Sequence, residues 1–288
     1  MRRKLKTLTF SFIDFGLKEA LACLFPALIL GGLMVSNILQ IPYRYDWLFA
    51  YALIIQICFY LFGLETINEI KVICLFHLLG LAMEIFKVSH GIWSYPDPSF
   101  LRIMGVPLYS GFMYAAVASY MMQSWKLLKL RVENWPKTWI AITLAAIIYM
   151  NFFTNMWFYD IRYWILLALP IIFLRSKIYF TVYNREYRMP VIASFGLIAI
   201  FIWIAENFGT FFNAWQYNTQ ASGWHMVNPS IYVSWILLVI LSMVIVITFK
   251  LERKKSLKHL YTQNPIESTA ELLDIIEEQT KKRKTESS

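Results

Sequence analysis

Glu84-Ile-Phe86, Trp93-Ser-Tyr95 and Pro107 are matched by Glu206-Asn-Phe208, Trp215-Gln-Tyr217 and Pro229. The pattern E-x-F-x6-W-x-Y-x11-P thus occurs twice at a constant offset of 122 residues (206 − 84, 217 − 95, 229 − 107). Each copy closes an apolar run, crosses a short polar, aromatic stretch and opens the next run at its proline. A carboxyl at membrane depth is costly and by default points to function. Facing a low-dielectric interior it favours its neutral form and can donate a proton. Trp93, Tyr95, Trp215 and Tyr217 would offer ring faces to a developing cation. These parts suit protonation of an isolated double bond, and they equally suit a cation-binding or proton-coupled transport site. The plainer alternative is that Trp and Tyr mark the membrane interface and the two acids fell there by chance.

Other residues could join this chemistry. His77 lies seven positions before Glu84, close to two helical turns, so the two can share a face. It reads as a relay partner or as a helix-packing residue. Asn151, Thr154 and Asn155 form one polar stripe, suited to interhelical hydrogen bonds or to a substrate cavity. Asn207 stands beside Glu206. Lys87, three residues after Glu84, would neutralise it, whereas its counterpart Gly209 leaves Glu206 free, so Glu206 is the favoured acid. Glu65 and Glu69 read as a solvated loop relieved by Lys71; Asp97 and His225 sit in loops where they could gate the site. No His/Glu or Cys cluster has metal-ligand spacing, and no nucleophile elbow, Walker loop or dinucleotide fingerprint occurs. No metal is expected, and the sequence leaves the cofactor unknown.

With 58% hydrophobic and 16% charged residues and a mean hydropathy of +0.51, the 288-residue chain has too little polar surface for a water-soluble globule. The formal charge of +9 sits in short clusters between apolar runs, which is orientation chemistry and argues against nucleic acid. Cys23, Cys58 and Cys74 give no disulfide framework. The lipid bilayer is the expected partner, together with a lipophilic small molecule at the site.

The elements that must position the acids are apolar runs of roughly 20 residues. Eight are read, at 20–40, 47–64, 71–88, 105–126, 137–157, 161–182, 190–210 and 229–250. The expected fold is all-α and polytopic, with about eight transmembrane helices in two parallel four-helix repeats, 20–133 and 134–250. Residues 1–19 form a basic segment, either an amphipathic surface helix or an extension of the first span. It does not look like a cleaved signal peptide, and the first span is expected to stay as an anchor. Residues 251–288 form a charged tail in which Ser268–Glu271 opens an amphipathic helix. Lys and Arg collect at the N-terminus, at 126–137, at 175–188 and beyond 250, which places both termini in the cytoplasm of an inner or plasma membrane protein. Both copies of the repeated motif then fall outside. Arg44 and Arg162, each with aromatic neighbours, read as belts opening the second span of each half.

The strings Glu65-Thr-Ile-Asn-Glu-Ile-Lys-Val72, Met83-Glu-Ile-Phe-Lys87, Gly105-Val-Pro-Leu-Tyr-Ser-Gly-Phe-Met-Tyr-Ala-Ala116 and Ala205-Glu-Asn-Phe-Gly-Thr210 resemble the bacterial integral-membrane family of domain of unknown function 817, the YoaT-like proteins. The resemblance covers nearly all of residues 15–250, and the family brings no established activity with it. Glu84, Gly91, Tyr95 and Gly105-Val-Pro107 also look like the membrane carotenoid hydratases, and the duplicated four-span plan is similar to that of the carotenoid cyclases. The cyclases' proline followed by paired glutamates is absent. The residues themselves point to an enzyme acting by acid catalysis on an isoprenoid or other lipophilic substrate, with Glu206 and Glu84 as the acids. A small-solute or proton-coupled transporter, and a non-catalytic scaffold, are the competing classes.

Overall fold

The computed structural model describes residues 2–155, 157 and 160–263, with side chains described from residue 8 to residue 253. The amphipathic helix expected to open at Ser268–Glu271 lies outside the described residues. In chain order the elements are α1 (Arg2–Ala22), α2 (Leu24–Ile38), α3 (Arg44–Leu61), α4 (Ile67–Ser89), β1 (Trp93–Ser94), β2 (Arg102–Ile103), β3 (Val106–Pro107), α5 (Ser110–Leu127), β4 (Arg131–Glu133), α6 (Thr138–Thr154), α7 (Arg162–Phe173), β5 (Lys177–Val182), β6 (Arg185–Pro190), α8 (Val191–Phe211), β7 (Gln216–Tyr217) and α9 (Ile231–Gln263). All packing described below lies within the compact unit that ends at Val244.

The chain is mostly helical, and each of the eight apolar runs contains a helix. Among the described residues, three helical segments are long and apolar enough to cross a bilayer: Ile67–Ser89, Val191–Phe211 and Ile231–Arg253. Leu8–Ala22 and Leu24–Ile38 give a fourth if the pair, bent by 60°, is one broken span. The bend at Cys23 separates α1 from α2 without deciding between a surface helix and the first arm of a broken span. In α1 the Phe15 and Phe10 rings pack on Phe180 and Tyr183, while Leu8, Phe12 and Leu17 stay exposed.

The run at 161–182 is not one helix. The helix α7 has 12 residues and stops at Phe173, three residues after Pro170, which cannot donate to the helical ladder. The remainder is strand β5, which pairs with both β4 and β6 in an antiparallel sheet of order β4-β5-β6. A strictly all-α fold is therefore corrected to a helical fold with three short sheets. The two basic segments at 126–137 and 175–188 meet in this one sheet, with Arg131 opposite Tyr179.

Helix α4 starts at a capping box, in which Thr66 accepts from the Glu69 N–H while the Glu69 carboxylate accepts from the Thr66 N–H. Helices α4 and α5 form the most extensive helix pair. A buried cluster of Leu33, Tyr45, Leu48, Leu81, Tyr95, Val106, Tyr109, Ala214 and Trp215 packs at the end of these helices, bordered by Trp93 and Tyr217.

Candidate functional site

Both glutamates end up buried, Glu84 on α4 and Glu206 on α8. Each is gripped by its own motif. Glu84 Oε2 accepts from Trp93 Nε1 and from Tyr95 OH, both at 2.7 Å. Glu206 Oε1 accepts from Trp215 Nε1 at 3.1 Å and from Tyr217 OH at 2.6 Å. The repeated spacing is thus a device in which an acid at the helix end turns the following loop back onto itself. The two devices are joined, because β1 and β7 pair antiparallel with Trp93 opposite Tyr217 and Ser94 opposite Gln216. The Trp93 and Tyr217 rings meet edge to face at 5.7 Å.

The surroundings differ. Tyr114 of α5 donates to Glu84 Oε1 at 2.7 Å, so both oxygens of Glu84 are occupied by three donors. On Glu206 both donors converge on Oε1, and Oε2 has no hydrogen bond among the described residues. Neither acid has an ion pair with Lys, Arg or His among the described residues. Burial, and next the neighbouring carboxylate, push the Tyr95 and Tyr217 phenols well above their ordinary value of 10.0, so both rings keep their protons and remain donors.

Two glycines make room for the rings. A Cβ on Gly80 would lie 2.3 Å from the Tyr114 ring, and one on Gly209 would lie 2.2 Å from Trp215. Connecting segments are laced across the site: Arg44 pairs with Asp97 at 3.0 Å and donates to the Phe212 carbonyl at 2.8 Å, and Tyr109 OH donates to the Ala214 carbonyl at 2.6 Å. Arg44 is therefore a buried tie and not part of an interfacial belt. The sequence reading missed Tyr114, Tyr109 and Tyr45. Their only sequence signal was membership of strings read for other reasons.

Lys87 does not neutralise Glu84: its ammonium donates to Asn155 Oδ1 at 3.1 Å, on the side of α4 facing α6. Asn155 is thereby tied to Lys87, and Thr154 bonds back to the Met150 carbonyl. Asn151 is buried with neither amide atom paired. Asn207 accepts from the Val227 N–H and donates to the Trp203 carbonyl, so it fastens the following loop and does not touch the acid. The His77 ring packs on Phe112 and over Gly111, with Nδ1 buried and unpaired. His225 sits at the exposed turn at Gly223, and Asp97 is half-exposed in its ion pair. Glu65 and Glu69 are both 1% exposed, which overturns the solvated-loop reading; Lys126, and not Lys71, pairs with Glu69 at 2.6 Å. Among the described residues no group of His, Cys, Asp and Glu could hold a metal ion.

The fold is mostly helical with candidate membrane spans, and two of its helices carry buried acids, each clamped by tryptophan and tyrosine. Residues 11–243 match the family described as "Protein of unknown function (DUF817)", and the chain belongs to that family. It is 47% identical over 246 residues to the "Uncharacterized protein YoaT" of Bacillus subtilis (strain 168), covering 85% of this chain and 93% of the relative. No solved structure matches.

Proposed function

We propose that the chain is an eight-span protein of the cell membrane whose twin acid site performs acid catalysis on an isoprenoid or similar lipophilic substrate. The carrying observation is the unequal hydrogen bonding of the two acids. A neutral carboxyl uses one oxygen as a carbonyl acceptor and keeps an O–H on the other, and Glu206, with both donors on Oε1 and Oε2 free, has that form. Glu84, with three donors on two oxygens, has the form of a stabilised carboxylate. One acid would donate while the other holds negative charge, two roles set by environment.

In the chemical step the Glu206 O–H gives its proton to an alkene carbon. The alkene π pair forms the new C–H bond, and the neighbouring carbon becomes cationic. The Glu84 carboxylate and the faces of Trp93 and Tyr217 would stabilise that cation. Loss of a proton from the cation to Glu206, or addition of water with one of its protons passing to Glu206, closes the cycle. Removing a general acid costs roughly 100- to 10,000-fold in rate. Glu206→Gln, which keeps the side chain's size, should abolish the product while the protein remains folded in the membrane. Lipid-extract mass spectrometry of cells with wild type, variant or no protein reads this, and an unchanged product level rejects it.

The eight-span plan with parallel halves, and cytoplasmic termini, draws support from the cross-chain ties. Segments assigned to the cytoplasmic side bond to one another: 131–133 with 177–179, Lys18 with the Thr181 carbonyl, and Lys126 with the Leu64 carbonyl. Segments assigned outside do the same: 93–94 with 216–217, Asp46 with the Phe100 and Leu101 N–H groups, and Arg44 with Phe212.

A second reading, a proton-coupled carrier for a small solute, draws on the orphan Asn151 amide and the Lys87–Asn155 bond, a further polar patch between α4 and α6. Solute uptake by vesicles that is lost in Glu206→Gln, without any new lipid product, decides for the carrier.

A further inference from the structure

The β5–β6 hairpin turns one face towards α1. Across the ladder Phe180 stands opposite Tyr187 and Val182 opposite Arg185, so these four residues share a face. Helix α1 is fastened along it. The Phe15 and Phe180 rings lie 5.5 Å apart and Phe10 stacks on Tyr183 at 5.6 Å. Tyr187 OH donates to Ser11 Oγ at 3.0 Å, and the Tyr183 N–H donates to Asp14 Oδ2 at 2.6 Å.

The two elements do not close on each other. Between them runs an open groove of about 470 Å³, walled by Leu8, Phe12, Phe15, Phe180 and Val182. Ser11 and Tyr187 also line it, but their hydroxyls bond to each other. The groove therefore offers an occupant chiefly methyl groups and rings, the lining of a site for an apolar ligand. Leu8 and Phe12 are 60% and 76% exposed, and the apolar surface continues along α1 through Ile13, Leu17 and Leu21.

The charges around the groove are unbalanced. Glu133 and Glu186 both pair with Arg131, and Asp14 pairs with Lys18 at 2.8 Å. Arg185, on the groove face beside the hairpin turn, and Arg188 are exposed and have no ion pair among the described residues. Arg2, Arg3, Lys4 and Lys6 fill the start of α1 just ahead of Leu8. An apolar slot with surplus cations beside it matches a ligand that has a hydrocarbon chain and an anionic head. Guanidinium suits phosphate, whose oxygens it meets with two parallel N–H donors. For a chain with candidate membrane spans, the bilayer supplies such a ligand.

We propose that the groove between α1 and the β5–β6 hairpin binds one anionic phospholipid, with an acyl chain along Phe12, Phe15 and Phe180 and the headgroup phosphate at Arg185. The site shares no residue with the twin acids and does not depend on their chemistry.

The test is native mass spectrometry of the purified full chain, released from micelles that hold equal amounts of phosphatidylglycerol and phosphatidylcholine with the same acyl chains. Wild type should retain phosphatidylglycerol at least five-fold over phosphatidylcholine. Arg185→Gln should remove most of that preference, since one basic group at an anionic surface changes affinity about five-fold. Phe12→Gln, which sets an amide where the acyl chain would lie, should lower retention of both lipids. Lys71→Gln, at an exposed position of α4 outside the groove, should match wild type. If Phe12→Gln does not give a single folded species in detergent, Leu8→Gln replaces it. Equal retention of the two lipids by wild type, or unchanged retention in the groove variant, overturns the site. An equal loss of preference in Arg185→Gln and Lys71→Gln overturns it too, as that is diffuse attraction between charges. Displacement of the lipid by inorganic phosphate overturns the acyl-chain assignment and leaves a bare anion site.

Discussion

Gly80 and Gly209 decide where the clamp rings can lie. Tyr114 covers the bare backbone of α4 one turn before Glu84, and Trp215 covers α8 just after Glu206. An alanine at either position would put a methyl group inside a ring, and neither ring can retreat without losing its hydrogen bond to the acid. Overpacking of this kind costs about 1–3 kcal/mol. Gly80→Ala and Gly209→Ala should each lower the thermal midpoint of the detergent-solubilised protein, and Gly209→Ala should also reduce product, as it displaces a donor to Glu206. Midpoints equal to wild type would show that the rings are not confined as described. At this scale the acids and their Trp and Tyr partners were legible, because the partners follow within 11 residues and the spacing recurs. Tyr114 and Gln56 were not, since each lies on a different helix from the acid it serves.

The junction of α3, α4 and α5 turns on Glu65, which receives Gln56 from one helix and Ser119 from another. Its carboxyl binds protons more tightly when folded than when unfolded. The folded state then holds more protons across the interval above 4.5, and stability falls as pH rises through it. Glu65→Gln should flatten that decline, a result read from thermal midpoints of wild type and variant across pH; parallel curves would count against it. The signal for this junction was present in Thr66-Ile-Asn-Glu69, a capping box that fixes the start of α4.

Strand β5 was hidden for a related reason. Its Ile178, Tyr179, Phe180 and Val182 continue the apolar run of α7, and apolar composition alone does not separate a buried helix from a strand. The turn that follows, Tyr183-Asn184, has both residues at positive φ, as a two-residue hairpin requires, but without the glycine that usually announces it.

Across the molecule, the helices were readable because each lies in a long apolar run bounded by polar and charged residues, while the ties between distant loops were not, because pairing of two-residue strands leaves no periodicity. The topology proposed from charge makes a direct prediction. With Cys23, Cys58 and Cys74 replaced by serine, Ser99→Cys should react with a membrane-impermeant maleimide on intact cells, and Asn184→Cys only after permeabilisation. Labelling of both from the same side would refute the alternating arrangement.

The pairing of Trp93 with Tyr217 carries one more consequence. A visitor cannot reach either carboxyl by prising up a single loop, since each loop is the other's latch. The two copies of the motif, although 122 positions apart, must open and shut as one, and a substitution that suits one will be judged by its fit to both.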